Sequence, residues 1–267
     1  MQILIGCTLA LGFSWGAWKA HALTKKGMWA AAAIGGIIYS FGRLPWSIPI
    51  LGFFLSSSFL TLLQANQDGG SYPVQEKRQP RDWGQVLANG SAGAVLAAIA
   101  LLRPGWEWPV IAYAGAMAAV NADTWATELG SLSPINPRLI TSWKTVEAGI
   151  SGGVTLMGSL SALTGSVFIA LITTLVFPRI IWERGVFIIT LAGLTGSLVD
   201  SLLGASVQAM YFCPKCGKET EQHPLHSCQT PTLYDRGWIW LNNDGVNLLS
   251  SVAGGWFSVF LWSLFPF

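Results

Sequence analysis

Asn121, Asp123, Thr124, Thr127 and Glu128 crowd the end of an apolar stretch, in a chain whose residues are only 10% charged. If a helix runs through them, Asn121, Thr124 and Glu128 share a face at i, i+3 and i+7, with Asp123 and Thr127 beside it. Carboxylates at a membrane boundary are costly unless they bind something. Oxygen-only ligands suit a hard cation such as Mg²⁺. The plain alternative is a polar helix end that caps a span.

Three further clusters have chemical potential. In Pro134–Thr155, Arg138, Lys144 and Glu147 precede Gly149, Ser151, Gly152 and Gly153. Glycines let a backbone approach a ligand, and a helix N-terminus with Ser151 as its cap attracts phosphate; a turn with small residues for packing is the competing reading. In Gly193–Gln208, positions 193, 197, 200, 204 and 208 form one helical stripe of Gly, Ser, Asp, Gly and Gln. Its small residues suit close helix packing, and Asp200, inside an apolar run, marks a functional site. Asn243, Asp244 and Asn247 enter the last apolar run, either as a cap or as ligand groups.

The cysteines divide into two kinds. Cys7 lies alone in an apolar run and reads as a small buried hydrophobe. Cys213-Pro-Lys-Cys216-Gly is followed by His223, His226 and Cys228. A CxxCG knuckle with a later His and Cys has the ligand types and spacing of a closed tetrahedral Zn²⁺ site. Cys213, Cys216, His226 and Cys228 form the expected set, with His223 as the alternative fourth ligand. Such a loop is too small to bury a core, so the metal would stabilise it.

The elements that must position these groups are membrane helices. The chain has 267 residues, 52% of them hydrophobic, and cannot hide that much apolar surface in one aqueous core. Its uncharged runs are Met1–Trp18, Met28–Gly42, Leu44–Gln67, Trp83–Leu102, Trp108–Ala122, Ala148–Pro178, Gly185–Val199 and Gly245–Phe267. A span needs about 20 apolar residues, and continuous rather than alternating runs select helices over a barrel. Met28–Gly42 and Trp108–Ala122 are short for a span; Gly185–Val199 reaches full length only by running through Asp200 toward Met210. Met1–Trp18 has no basic stretch before it and lysines after it, and so reads as a mature span and not a cleaved signal. The expected fold is an all-α, polytopic bundle of about eight transmembrane helices. It forms one domain over residues 1–267, with a zinc-knuckle-like cytoplasmic insert near 211–237.

Eleven of the 15 basic residues fall in alternate connections: Lys19, Lys25 and Lys26; Lys77, Arg78 and Arg81; Arg138 and Lys144; Lys215, Lys218 and Arg236. Arg43, Arg103, Arg179 and Arg184 occupy the others. The positive-inside rule then puts the first set in the cytoplasm and both termini on the opposite side of the membrane, the bacterial inner membrane if the source is bacterial.

Asn-Ala-Asp-Thr-Trp-Ala-Thr-Glu-Leu-Gly at 121–130 resembles the signature of the integral membrane family called domain of unknown function 92, which includes transmembrane protein 19 and a plant phytyl-phosphate kinase. Blocks at 143–147, 151–155, 196–205 and 242–247 resemble that family's in the same order. Ala148-Gly149-Ile150 departs from the Gly-Thr-Ser-like stretch expected before Gly152, and the Cys/His insert resembles some bacterial members and is absent from the plant enzyme, which argues against a catalytic role. The run 144–147 also has a short similarity to CTP-dependent polyprenol and phytol kinases. The resemblance implies transfer of a phosphoryl group from a nucleoside triphosphate, CTP above all, to a prenyl monophosphate such as phytyl or geranylgeranyl phosphate. In that reading Asp123, Glu128, Lys144 and Asp200 are catalytic, and Asn121, Asp123, Glu128, Asp200 and Asp244 hold Mg²⁺. Arg138, Lys144, Glu147, Ser151, Gly152, Gly153, Asn243, Asp244 and Asn247 bind the nucleotide and its phosphates. The expected partners are the lipid bilayer, the prenyl phosphate and the nucleotide donor, with no nucleic acid. The alternatives are a transporter or flippase for a phosphorylated lipid or other anion, a cytidylyltransferase acting on a lipid phosphate, and a noncatalytic scaffold.

Overall fold

The computed structural model describes residues 1–67, 80–181 and 184–265. Lys77 and Arg78, part of the charge count above, lie outside the described residues, as do the last two residues of the final apolar run. Among the described residues the helices are α1 (Gln2–Lys19), α2 (Lys25–Gln67), α3 (Trp83–Leu102), α4 (Trp108–Gly130), α5 (Leu156–Val176), the short α6 (Pro178–Ile181), α7 (Gly185–Ser206) and α8 (Asn243–Leu264). Five of them (α2, α3, α5, α7 and α8) are long and apolar enough to cross a membrane. The protein is a helical membrane protein.

The second and third apolar runs join in α2, which breaks at Arg43 (φ 59°, ψ −159°). Pro45 lies two residues beyond the break: it offers no N–H and its ring would collide with the turn before it, so the first limb cannot continue and Pro45 falls in the first turn of the second. The two limbs then fold back on each other. A Cβ on Gly90 of α3 would lie 2.7 Å from Ile34 and 3.6 Å from Ile50. In a straight helix those isoleucines would stand roughly 24 Å apart.

Helix α4 is the central post. Residues Pro109 to Ala122 are all buried, and α4 packs against α2, α3, α5, α7 and α8. Its apolar character all round suits a helix with protein on every side, and its Ala-rich surface accepts glycines from its neighbours. A Cβ on Gly193 or Gly196 of α7, or on Gly254 of α8, would come within 3.0 Å of Ala118 or Ala119. Close backbone approach of this kind replaces the missing hydrophobic drive between helices in lipid. Ile38, Tyr113, Met117 and Ile169 fill the adjoining core.

The fold is not purely helical. A two-stranded pair joins β1 (Arg138–Leu139) to β2 (Gly153–Val154), and the Cys/His insert is a three-stranded antiparallel sheet ordered β4-β3-β5, from Lys218–Thr220, Met210–Cys213 and Leu233–Arg236. The β1–β2 pairing shortens the sixth predicted run: α5 begins at Leu156, and Thr155, not Ser151, caps it by accepting from the Gly158 N–H at 2.9 Å. Cys7, expected to be buried, is exposed on α1.

Candidate functional site

The connections 20–24, 131–155 and 207–242, with Arg81 at the end of 68–82, gather at one end of the bundle. Thr24 donates its N–H to the Arg81 carbonyl at 3.0 Å, and Ser151 donates to Gln208 Oε1 at 3.0 Å. Gln2 bonds Arg43 at the other end, where Arg184 also stacks on Trp262 of α8. A cleft of about 1380 Å³ opens among the gathered connections and runs between α1, α2, α4, α5 and α7.

Helix α4 delivers Asp123, Thr124, Thr127 and Glu128 to this cleft, α7 delivers Ser197, Asp200 and Ser201, and α8 delivers Asn243, Asp244 and Asn247. The helical register explains α7: Ser197, Asp200 and Ser201 occupy one face at i, i+3 and i+4, while Gly193, a turn away, packs on Ala118. Asn242 caps α8 by accepting from the Gly245 N–H at 3.0 Å, which fixes where Asn243 and Asp244 enter. Thr61 of α2 donates to Glu128 Oε1 at 3.0 Å, and Gln64 donates to the Glu128 carbonyl.

Ser151, Gly152 and Gly153 also line the cleft, but as a turn and not a helix start. Gly152 has φ +80° and sits against the end of α7: a Cβ there would meet Ala205 N at 2.6 Å and Cα at 2.7 Å. Only glycine combines that conformation with that approach.

Four predicted residues lie elsewhere. Asn121 is buried a turn below the cleft, donating to the Gly165 carbonyl at 2.7 Å and accepting from Ser56 at 3.2 Å. Its amide ties α2, α4 and α5 together. Arg138, Lys144 and Glu147 are exposed on the loop outside the cleft. Arg138 donates to the Trp143 carbonyl at 3.3 Å, and Glu147 pairs with Lys218 of the insert at 3.3 Å. The loop itself is closed by backbone bonds from Leu139 N–H to the Lys144 carbonyl and from Val146 N–H to the Pro137 carbonyl, 2.9 Å each.

Other cleft residues were not singled out in the sequence. Arg81, Asp82, Gln85 and Asn89 come from the start of α3, and Glu221 comes from the insert. Gln85 and Asn89 are amides four residues apart inside an apolar run, on the face that continues from Asp82; that pattern is the legible signal for them. Arg81 is held by Ser58 and Ser57, to which its two Nη groups donate at 3.0 Å each, and it lies 5.2 Å from the Phe54 ring centre. Burial lowers its pKa, while the charge of Glu128 raises it. The described lining thus carries six carboxylates, with Arg81 as its one guanidinium and no lysine.

The insert forms a second centre beside the cleft. The ligand atoms of Cys213, Cys216, His226 and Cys228 lie within 4.8 Å of one another. Cys213 and Cys228 sulfurs are 3.5 Å apart, and His226 Nδ1 is 3.5 Å from Cys216 Sγ and 3.2 Å from Cys228 Sγ. Tetrahedral Zn²⁺ places its S and N ligands about 3.5–3.8 Å apart, so this cluster can hold zinc. Hydrogen bonding with Thr230 and His226 brings the Cys228 thiol down to about 5, while the neighbouring thiols push Cys216 up to about 11, so without a metal the first thiolate forms at Cys228. His223 is directed away, stacking on Tyr211 at 4.3 Å with Nδ1 3.4 Å from Thr232 Oγ1. Arg236 joins the insert to the bundle by donating to the carbonyls of Gly204 and Ala205 at the end of α7.

Comparison with known proteins agrees with this architecture. The chain is 30% identical to an uncharacterized membrane protein of Methanocaldococcus jannaschii, over 98% of this chain and 93% of that one. It is 34% identical to protein PGR of Arabidopsis thaliana, over 75% and 76% of the two chains. To the chloroplastic protein VTE6 of the same plant it is 22% identical, over 87% of this chain and 63% of that one. No solved structure matches. The sequence matches the family described as Integral membrane protein DUF92 over residues 8–255, and the chain belongs to that family.

Proposed function

We propose that the protein is a membrane-embedded prenyl-phosphate kinase that moves a phosphoryl group from a nucleoside triphosphate, CTP in the first instance, to a prenyl monophosphate. The carrying observation is the meeting of Asp123, Glu128, Asp200 and Asp244, from α4, α7 and α8, in one cleft of about 1380 Å³. A single small-ligand site occupies roughly 300–1,000 Å³, so there is room for two substrates. The family resemblance to phytyl-phosphate kinase supplies the substrate class.

The acceptor is itself an ionised phosphate and needs no general base. One of its oxygens attacks the terminal phosphorus of the donor, the bridging P–O bond breaks, and a prenyl diphosphate and a nucleoside diphosphate leave. Catalysis is then positioning and charge neutralisation. Six carboxylates would repel two phosphates, which favours divalent cations between them. Carboxylate oxygens such as those of Asp123, Glu128, Asp200 and Asp244 suit Mg²⁺; among the described residues no three of them converge as one ligand set, so the cations would be held between single carboxylates and the substrate phosphates, to which they would supply positive charge. Asn121 is committed to helix packing and has no part in that set. Gly152 and Gly153 offer backbone to the donor phosphates, and Asn243 and Asn247 offer amides to the nucleotide. Arg138, Lys144 and Glu147 act at most from the rim of the cleft.

In this reading α1, both limbs of α2 and α4 cross the bilayer as well, giving eight passes with the cleft at the cytoplasmic face and both termini opposite. The test is a donor screen on the zinc-loaded protein in detergent, with γ-labelled CTP, ATP, GTP or UTP, Mg²⁺, and phytyl or geranylgeranyl monophosphate. Label is expected in a lipid diphosphate, and Asp123→Asn is expected to abolish it in a folded protein. Release of pyrophosphate would indicate a cytidylyltransferase. No turnover with any pair, together with prenyl-phosphate movement across liposomes, would indicate a transporter.

A further inference from the structure

The cleft has two unlike walls. On one side the Ser151–Gly153 turn packs on the end of α7, the helix that carries Asp200. On the other, α1 and the second limb of α2 form a groove with Phe13, Phe54, Leu55 and Leu62 along it. Leu55 and Leu62 are exposed, so in a bilayer the groove opens to lipid. Gly12 and Gly16 of α1 stand four residues apart on its floor, and a Cβ on either would meet nothing within 4 Å. Both glycines therefore leave space unfilled, unlike Gly193 or Gly254, whose missing side chains are occupied by neighbouring helices.

Arg81 stands at the polar head of this groove. Its guanidinium lies 5.2 Å from the Phe54 ring centre, and its two Nη groups donate to serines of the same α2 limb. A guanidinium has five N–H donors, more than two serine hydroxyls absorb; it also lies under the charge of Glu128, with which a bound phosphate would share it. It is the single fixed cation among the described residues lining the cleft, and the apolar groove begins beside it. An amphiphile with an anionic head and a hydrocarbon tail matches a cation at the head of a lipid-facing groove.

We infer that Arg81 is the clamp for the acceptor's phosphate and that the Gly12–Gly16 face of α1 is the bed for its isoprenoid tail, leaving the glycine turn across the cleft to the donor. This rests on the kinase reading for the identity of the acceptor, but it is a statement about binding and can be measured without turnover. Arg81 binds in the fork geometry a phosphate accepts, and exchange of its serine contacts for phosphate contacts retains charged hydrogen bonds.

The experiment measures the affinity of full-length protein in detergent for phytyl monophosphate, for the five-carbon dimethylallyl monophosphate and for inorganic tripolyphosphate. Arg81→Gln is expected to weaken phytyl monophosphate about tenfold or more, the usual scale for losing hydrogen bonds to a charged group. It should leave tripolyphosphate, which mimics the donor's phosphates, within about threefold, and Arg81→Lys should fall between. Gly16→Leu, which enters open space and spares the fold, should weaken phytyl monophosphate about tenfold while leaving dimethylallyl monophosphate nearly unchanged. Equal losses for the long and short chains in Gly16→Leu, or unaltered phytyl monophosphate binding in Arg81→Gln, would overturn the assignment, as would a wild-type protein that fails to bind phytyl monophosphate. Should Arg81→Gln not fold, the Gly16→Leu comparison decides. If the binding pattern holds and no donor yields labelled diphosphate, the cradle stands and the kinase reading falls. If label transfers but the binding pattern is absent, the reverse is true.

Discussion

Replacing Gly152 with alanine isolates how the glycine turn is held. Two costs arise. The φ of +80° is a left-handed conformation that costs an L-residue about 1–2 kcal/mol. The new Cβ would also lie 2.5–2.7 Å from Ala205, where ordinary contact begins at 3.4 Å. The end of α7 or the turn must therefore shift by roughly 0.7–0.9 Å, and overpacking of this kind costs about 1–3 kcal/mol. The sum is about 2–5 kcal/mol. Gly149 supplies the control. Its φ is +98° but nothing lies within 4 Å of its Cβ position, so Gly149→Ala carries the backbone cost alone, about 1–2 kcal/mol. Reversible unfolding in mixed micelles would give both values. Because the displaced helix also carries Asp200, phosphoryl transfer should fall much further in Gly152→Ala, on the order of a hundredfold for a misplacement near 1 Å. Equal destabilisation by the two alanines would refute the collision with Ala205, and unchanged transfer in Gly152→Ala would separate the turn from the chemistry.

Further outcomes follow from the insert, the loop and the membrane orientation. Metal analysis should find one Zn²⁺ per chain; His226→Ala should lose it and His223→Ala should keep it, because only the first ring reaches the cysteines. Removing zinc should expose the insert to proteolysis while the helices persist, since a sheet this small depends on its metal. Glu147→Ala should change stability by no more than about 0.5–1 kcal/mol and leave transfer intact, since its pair with Lys218 is exposed. In intact bacterial cells, a membrane-impermeant maleimide should label Glu107→Cys and spare Lys144→Cys; the opposite pattern would invert the topology.

Much of the architecture is legible in the order of residues. A bilayer demands long uncharged helical runs, so helices of spanning length stand out without any knowledge of packing, and Arg43, which divides the second run from the third, marks the break in α2. The Cys/His spacing points to Cys213, Cys216, His226 and Cys228 as a group that can hold a metal because they lie close along the chain. Asp123, Glu128, Asp200 and Asp244 were conspicuous because acid is scarce in apolar surroundings. The assembly of the cleft is different in kind. Arg81 and Glu221 are ordinary charges in their own connections, and only the return of α2, α3 and the insert to one end brings them beside Glu128 and Asp244. Lys144, Arg138 and Glu147 fit a phosphate loop by type and spacing, yet they stand outside the cleft, on a loop whose backbone bonds run from Leu139 N–H to the Lys144 carbonyl and from Val146 N–H to the Pro137 carbonyl. Local periodicity fixes which face of a helix a residue occupies; where a loop side chain points depends on hydrogen bonds to residues distant in the chain, and those exist only in the folded protein.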